Sequence, residues 1–268
     1  MTTLLQRRGQ VTKKPQPHHP AETYLVEAMM RGGAGTVRRY VTLLRAAGVH
    51  LPDALEVVHD TNGEVAVGHP WVSGIPLLDL AADPEPFLAA VVQVAAWARD
   101  LDDTDARLDT NLANFVVCDD GRLVTVDVLP PLLTSLRPTP RNCREVLFDA
   151  LCFDTPVTLC ALAGYAGRAL LTGGPDLAHG PAGWLTGRAA AVVAGLCPGH
   201  GPGGGLGVWW FHARTVAAAR ALAGTMPRDQ ALALFASTSV LALRDAAEPE
   251  RQARVAAAHT LATRLGLP

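Results

Sequence analysis

Arg107-Leu-Asp109-Thr-Asn-Leu-Ala-Asn114-Phe-Val-Val-Cys-Asp119-Asp120-Gly121-Arg-Leu-Val-Thr-Val-Asp127 carries more structural information than any other stretch of this chain. An Asp is followed five residues later by an Asn, and a short apolar run starts directly after it. Asp119-Asp120-Gly121 then reads as a tight turn, because Asp and Gly adopt the backbone conformations that two-residue hairpins demand. A second apolar run returns and ends at Asp127. The pattern predicts strand, turn and strand, with an amide and two carboxylates gathered at one end. Asp and Asn also serve as plain turn residues, since they hydrogen-bond their own backbone. The helix before the pair, the strand after Asn114 and the Asp closing the return strand argue for more than a turn. The acidic run Asp100, Asp102, Asp103 and Asp105 reads as a solvated helix end.

Working outward, residues 86–100 have helical spacing, and Ser73-Gly74-Ile-Pro76 breaks the preceding pattern like a hinge. Runs at 55–59 and 64–72 flank Asp60-Thr-Asn62-Gly63, a hairpin signal. Residues 22–30 and 36–47 read as helices, the second with Val37, Tyr40, Val41 and Leu44 on one face. Residues 1–20 are polar and Pro/His-rich and read as an extended strand or arm. Beyond Pro131 nearly everything is helical: 141–172, 181–197, 211–224, 227–244 and 248–265. The expected architecture is α+β, with a small N-terminal section (1–74, helices plus a β-hairpin) and a larger, mostly helical section (75–268).

Composition narrows the class. With 268 residues, 49% hydrophobic and 18% charged, the chain has enough apolar material for a sizeable core. A formal charge of −2 argues against nucleic acid as the main partner, because that binding rests on phosphate neutralisation by basic side chains. The apolar stretches are shorter than the ~20 residues a bilayer span needs, and the N-terminus lacks a secretory signal's apolar centre. The expectation is a cytoplasmic protein with no membrane partner. Its 5 cysteines include no CxxC pair, so neither a disulfide framework nor a zinc site is expected. Of the 23 basic residues only Lys13 and Lys14 are lysine. An amine persists in an arginine-biased chain best where a compact point charge is needed, and a solvated basic tail explains the pair about as well.

The order of these elements, with the Asp109/Asn114/Asp127 layout, resembles the kinase-like superfamily, closest to its aminoglycoside and choline phosphotransferase branch. The segment Val41 to Pro52 is similar to the helix and turn before that family's central hairpin. Val65 to Trp71 with Val72-Ser-Gly-Ile-Pro-Leu looks like the strand and linker joining its two lobes. The resemblance spans roughly residues 10–170. It implies a two-lobe fold and an ATP- and Mg²⁺-dependent transfer of a phosphoryl group to a hydroxyl of a small molecule or of a Ser/Thr in a peptide. Specialised natural-product metabolism is one setting for such a reaction. Asp109 would face the attacking hydroxyl, and Asn114 and Asp127 would bind magnesium. Lys13 or Lys14 would contact the nucleotide, paired with Glu27 or, less favourably spaced, Glu22. The chain departs from the family in carrying Arg107 where a His is usual and Val-Leu-Pro after Asp127. It also has only a dozen residues before Lys13. Those departures imply the alternative of a pseudokinase that binds a partner enzyme or a peptide without chemistry.

Other motifs carry less. Arg31-Gly-Gly-Ala-Gly35-Thr36 leads into a helix and offers backbone amides to an anion. It follows a helix and lacks a GK[ST] ending, so an interhelical turn is the better reading. Gly199 to Gly205 reads as a flexible loop. His18-His19 is adjacent and lacks metal-ligand spacing. Trp184 and Trp209-Trp210-Phe211 suit either a substrate cleft or the core.

Overall fold

The computed structural model describes residues 2–7, 9–17, 22–59, 62–173, 183–197 and 205–268. His18-His19, the first half of the Asp60–Gly63 turn and nearly all of the Gly199–Gly205 run lie outside these residues. The chain is α+β and divides into two compact units, Met1–Leu77 with Ala96–Thr139 and Leu78–Ala95 with Pro140–Pro268. Packing thus groups the 107–127 stretch with the N-terminal sheet, whereas a division at residue 74 groups it with the helices.

The first unit holds two small antiparallel sheets. The larger has four strands, β1 (Thr2–Arg7), β2 (Gln10–Pro15), β3 (Glu56–His59) and β4 (Val65–Pro70), in the order β1-β2-β4-β3. Residues read as an extended strand or arm are therefore two strands, paired as a hairpin. Arg7 pairs with Gln10, so the connection is only two residues long, and Gly9 takes the positive φ of 76° that such a turn requires. Between β2 and β3 run α1 (Thr23–Met29) and α2 (Gly33–Ala46). The apolar stripe of α2 is buried as its spacing predicts, at Val37, Tyr40, Val41 and Leu44.

The second sheet is three-stranded, β5 (Ile75–Pro76), β6 (Phe115–Val117) and β7 (Leu123–Thr125), in the order β5-β6-β7. The supposed hinge at residues 73–76 is therefore partly strand. Gly74 has φ +149°, and a Cβ there would lie 2.3 Å from the Val117 carbonyl oxygen, so only glycine fits. The β6–β7 turn forms at Asp119-Asp120-Gly121, with Gly121 at φ 81° and Asp120 accepting from Arg122 N (3.0 Å) and Arg122 Nε (2.6 Å). His50 ties this sheet to the end of α2: its carbonyl accepts from Thr125 N at 3.0 Å, and its Nδ1 donates to the Leu123 carbonyl at 3.1 Å.

The second unit is helical: the start of α3 (Pro84–Asp100), then α4 (Cys143–Phe153), α5 (Thr155–Gly173), α6 (Gly183–Leu196), α7 (Leu206–Leu222), α8 (Arg228–Ser237) and α9 (Glu248–Arg264). The single helix expected over 141–172 is two, bent by 93° at Asp154. Pro156 explains the break, because proline lacks the N–H an ongoing helix would need and is at home in a first turn. Trp210 and Phe211 are fully buried with Leu147, Val157 and Leu243, which places them in the core. Two findings correct the cysteine and helix-length readings. Cys160 and Cys197 are disulfide-bonded across 37 residues, and the helix expected over 227–244 stops at Ser237. No single helix among the described residues is long and apolar enough to cross a membrane.

Candidate functional site

The loop that carries Asp109 is fixed before the site begins. The Arg107 guanidinium donates to the carbonyls of Leu101 (3.0 Å), Thr104 (2.8 Å) and Ala106 (2.8 Å), closing the end of α3. Its backbone N–H donates to Leu132 O at 2.8 Å, and its carbonyl accepts the Tyr40 hydroxyl at 2.7 Å. Asp105 does not behave as a solvated helix end. Its carboxylate accepts from Thr134 Oγ1 (2.7 Å), Ser135 N (2.8 Å) and Ser135 Oγ (2.8 Å), and it pairs with Arg39 at 2.8 Å. Burial alone would raise its pKa, but the hydrogen bonds from Thr134 and Ser135, with Arg39 adding, carry it below the ordinary value. The segment 104–109 is thereby pinned to 132–136, with an isolated bridge between Ala106 and Leu133.

From that anchor Asp109 enters a tight local structure. Its Oδ1 accepts the backbone N–H of Asn111 at 3.0 Å, and its Oδ2 accepts Asn114 Nδ2 at 2.9 Å. Asn111 caps the short 3₁₀ turn Leu112–Asn114 by accepting Ala113 N at 3.2 Å. Asp109 is thus a turn residue and also a member of a polar cluster. Asn114 O accepts Val126 N at 2.8 Å, so strand pairing continues past β6 and β7 and brings Asn114 beside Asp127. Asp127 Oδ1 accepts Leu129 N at 3.2 Å.

Lys13 completes the cluster. It lies on the inner face of β2, with its residue only 7% exposed, and donates through Nζ to the Val126 carbonyl at 2.5 Å. Asp127 Oδ2 is 3.9 Å from the same nitrogen. Burial lowers the Lys13 pKa, while the carboxylates of Asp127 and Asp109 pull it back up. Asp109 shifts the other way: crowding by protein raises its carboxyl and Asp127 adds to the rise, against the hydrogen bonds from Asn111 and Asn114. Its side chain nevertheless keeps solvent access. Four side chains from three separated segments, Lys13, Asp109, Asn114 and Asp127, therefore interact as one group.

Two expected members stand outside it. Lys14 alternates to the other face of β2, where it pairs with Glu64 at 3.7 Å. Glu27 is on the exposed face of α1, while Glu22 is buried at that helix's start. The charges acting on Lys13 are those of Asp127 and Asp109, and Asp127 is the carboxylate that pairs with it. A further residue escaped sequence reasoning altogether. His69, on β4 and only 2% exposed, is within electrostatic reach of Lys13 and Asp127. A lone histidine in a strand carries no spacing signature; only the β2–β4 register brings it here.

Among the described residues no group of three or more His, Cys, Asp or Glu side chains is placed to hold a metal ion. The cluster offers the Asp127 carboxylate and the Asn114 amide oxygen, whose Nδ2 is already committed to Asp109. Two hard oxygens suit magnesium, which takes few protein ligands and completes its octahedron with phosphate oxygens and water. Comparison with family models, curated proteins and solved structures finds no match to this chain.

Proposed function

We propose that this protein is an ATP- and Mg²⁺-dependent phosphotransferase with a kinase-like two-lobe fold, acting on a hydroxyl of a small molecule or peptide. One observation carries the reading: Lys13, Asp109, Asn114 and Asp127 interact as a group although more than a hundred residues of sequence separate the first from the last. The order of elements supports it too: a lysine-bearing strand, helices, a hairpin, and then a loop and strand pair that carry the acids. Lys13 supplies a compact positive charge for phosphate oxygens, and Asn114 and Asp127 are the residues that would hold magnesium. When bound, that ion would offset the negative charge of the phosphates.

Asp109 orients the acceptor hydroxyl and takes its proton as the oxygen bonds to the terminal phosphorus and the bond to the ADP oxygen breaks. Its upward-shifted carboxyl is a stronger base than an ordinary aspartate, and its solvent access leaves room for an acceptor. Positioning and charge neutralisation do most of the remaining work in phosphoryl transfer. The test is transfer from γ-labelled ATP to a panel of aminoglycosides, sugars and Ser/Thr peptides. Asp109→Ala and Asp127→Ala each lower product formation by orders of magnitude; unchanged turnover in either defeats the assignment.

A second reading, a pseudokinase that binds a nucleotide, a peptide or a partner enzyme without turnover, is favoured by two features of the first unit. The β1–β2 connection is a two-residue turn, too short to fold over phosphates, and Lys13 is paired with Asp127 itself. Nucleotide binding without transfer to any acceptor would select it.

A further inference from the structure

We propose that the groove between helix α2 and the outer edge of strand β3 is a docking site for an extended acidic peptide, which adds a strand to β3 and places its carboxylates on Arg38 and Arg45. None of the residues lining the groove belongs to the Lys13–Asp127 cluster, so the site stands or falls apart from the phosphotransferase reading.

The strand supplies one wall. β3 is last in the order β1-β2-β4-β3, so among the described residues its outer edge presents unpaired N–H and C=O groups. Sheets commonly blunt such an edge with proline or lysine. β3 reads Glu-Val-Val-His over 56–59 and has neither. A groove of about 430 Å³ runs beside it, within the ~300–1,000 Å³ usual for binding pockets. Glu56 and Val57 both line this groove although they are neighbours in the strand. Successive strand side chains point to opposite faces, so two neighbours meet one groove only along the strand's edge.

The helix supplies the other wall and the charge. Arg38, Val41 and Arg45 lie on one stripe of α2 and line the groove together. In a chain whose formal charge is −2, α2 carries three arginines and no acidic residue. Asp105 neutralises Arg39. The guanidiniums of Arg38 and Arg45 have no carboxylate or hydrogen-bond partner among the described residues. Glu56 pairs with neither, and two guanidiniums against one carboxylate leave the groove positive. Its floor is apolar, because Val41 and Leu55 are buried and Val57 is half-buried. Seven residues of helix separate the two arginines by about 10 Å along the axis. In extended chain, two acidic residues that flank an apolar one at alternate positions share a face and span about 13 Å. Long arginine side chains reach both carboxylates while the apolar residue between them meets the floor. Guanidinium is the cation best matched to a carboxylate, since its planar fork donates two parallel hydrogen bonds. Main-chain bonds to the β3 edge then provide affinity, and the arginines select an acidic sequence.

Titration of the ¹⁵N-labelled full-length chain with a short acetylated peptide tests this, the peptide having two glutamates that flank a valine with a threonine at each intervening position. Amide signals of residues 38–45 and 55–59 should shift saturably, while those of α7 stay in place. The double variant Arg38→Gln/Arg45→Gln should bind about tenfold more weakly, as expected for two exposed ion pairs. Both side chains are exposed, so their replacement leaves the fold intact. A peptide with lysine in place of glutamate should not bind. N-methylation of the peptide's alternate amides along one edge should abolish binding, and along the other edge should leave it in place. Absence of shifts at millimolar peptide, equal affinity in the double variant, or two methylated peptides that both bind like the parent overturns the proposal. The same shifts produced by inorganic phosphate alone, or by self-association of the chain without peptide, also overturn it, assigning the groove to a free anion or to a second copy.

Discussion

Replacing Asp105 by alanine removes the brace that holds the Asp109 loop to residues 132–136. Three hydrogen bonds to a carboxylate are lost, at 2.7, 2.8 and 2.8 Å. Each such bond is worth about 1.5–3 kcal/mol when isolated from water. Ser135 is exposed and regains water, so its two bonds count for much less than that. The Arg39 partner is 58% exposed, which limits the ion pair to at most about 1 kcal/mol. The net local loss is roughly 2–3 kcal/mol, or about 30- to 150-fold in an opening equilibrium. Native-state amide exchange reads it directly: the N–H groups of Arg107 (to Leu132 O), Thr134 (to Asp105 O) and Ser135 should exchange faster by that factor. Amides of α7, in the other unit, should not change. The pH dependence fixes the sign. The folded-state pKa of Asp105 is depressed, so its stabilisation is present above the ordinary value of 3.8 and is lost as pH falls through the lower folded value. The difference between wild type and variant is therefore full at neutral pH and shrinks in acid. A change below about threefold, or a difference that grows on acidification, would refute the brace.

Gly74→Ala should destabilise the first unit by at least about 2 kcal/mol, because φ and the Val117 carbonyl both exclude a side chain; a melting point unchanged from wild type would count against that geometry. Reducing the Cys160–Cys197 bond, or replacing both cysteines by serine, should lower denaturant stability by roughly 4 kcal/mol on the loop-entropy estimate for a 37-residue separation, with equal midpoints contradicting it. Activity should require ionised Asp109, whose pKa is raised, so the acid limb of kcat/KM should fall above the ordinary aspartate range; a limb at or below about pH 4 would exclude Asp109 as the base.

What the sequence conveyed was mostly local. The α2 stripe is buried because apolar spacing at a helical period is itself the cause of burial. Asp119-Asp120-Gly121 turns because its residues tolerate the backbone the turn needs. Readings that depend on tertiary partners fared differently. Two adjacent lysines point to opposite faces of a strand, and nothing local says which face is inward, so Lys13 and Lys14 were indistinguishable. Glu27 has suitable spacing in sequence but lies on the wrong side of α1, and the partner of Lys13 is Asp127. The β1–β2 hairpin was hidden by the polar, proline-rich stretch that follows it, and Asp105 by the acidic company it keeps. The disulfide joins positions with no spacing signature.

Calorimetric titration of the full-length chain with ATP, with and without magnesium, tests the central claim most directly. Saturable binding below millimolar nucleotide, strengthened by magnesium and with that magnesium dependence lost in Asp127→Ala, is the predicted result. Absence of binding at millimolar ATP, or binding indifferent to both magnesium and Asp127, would contradict it.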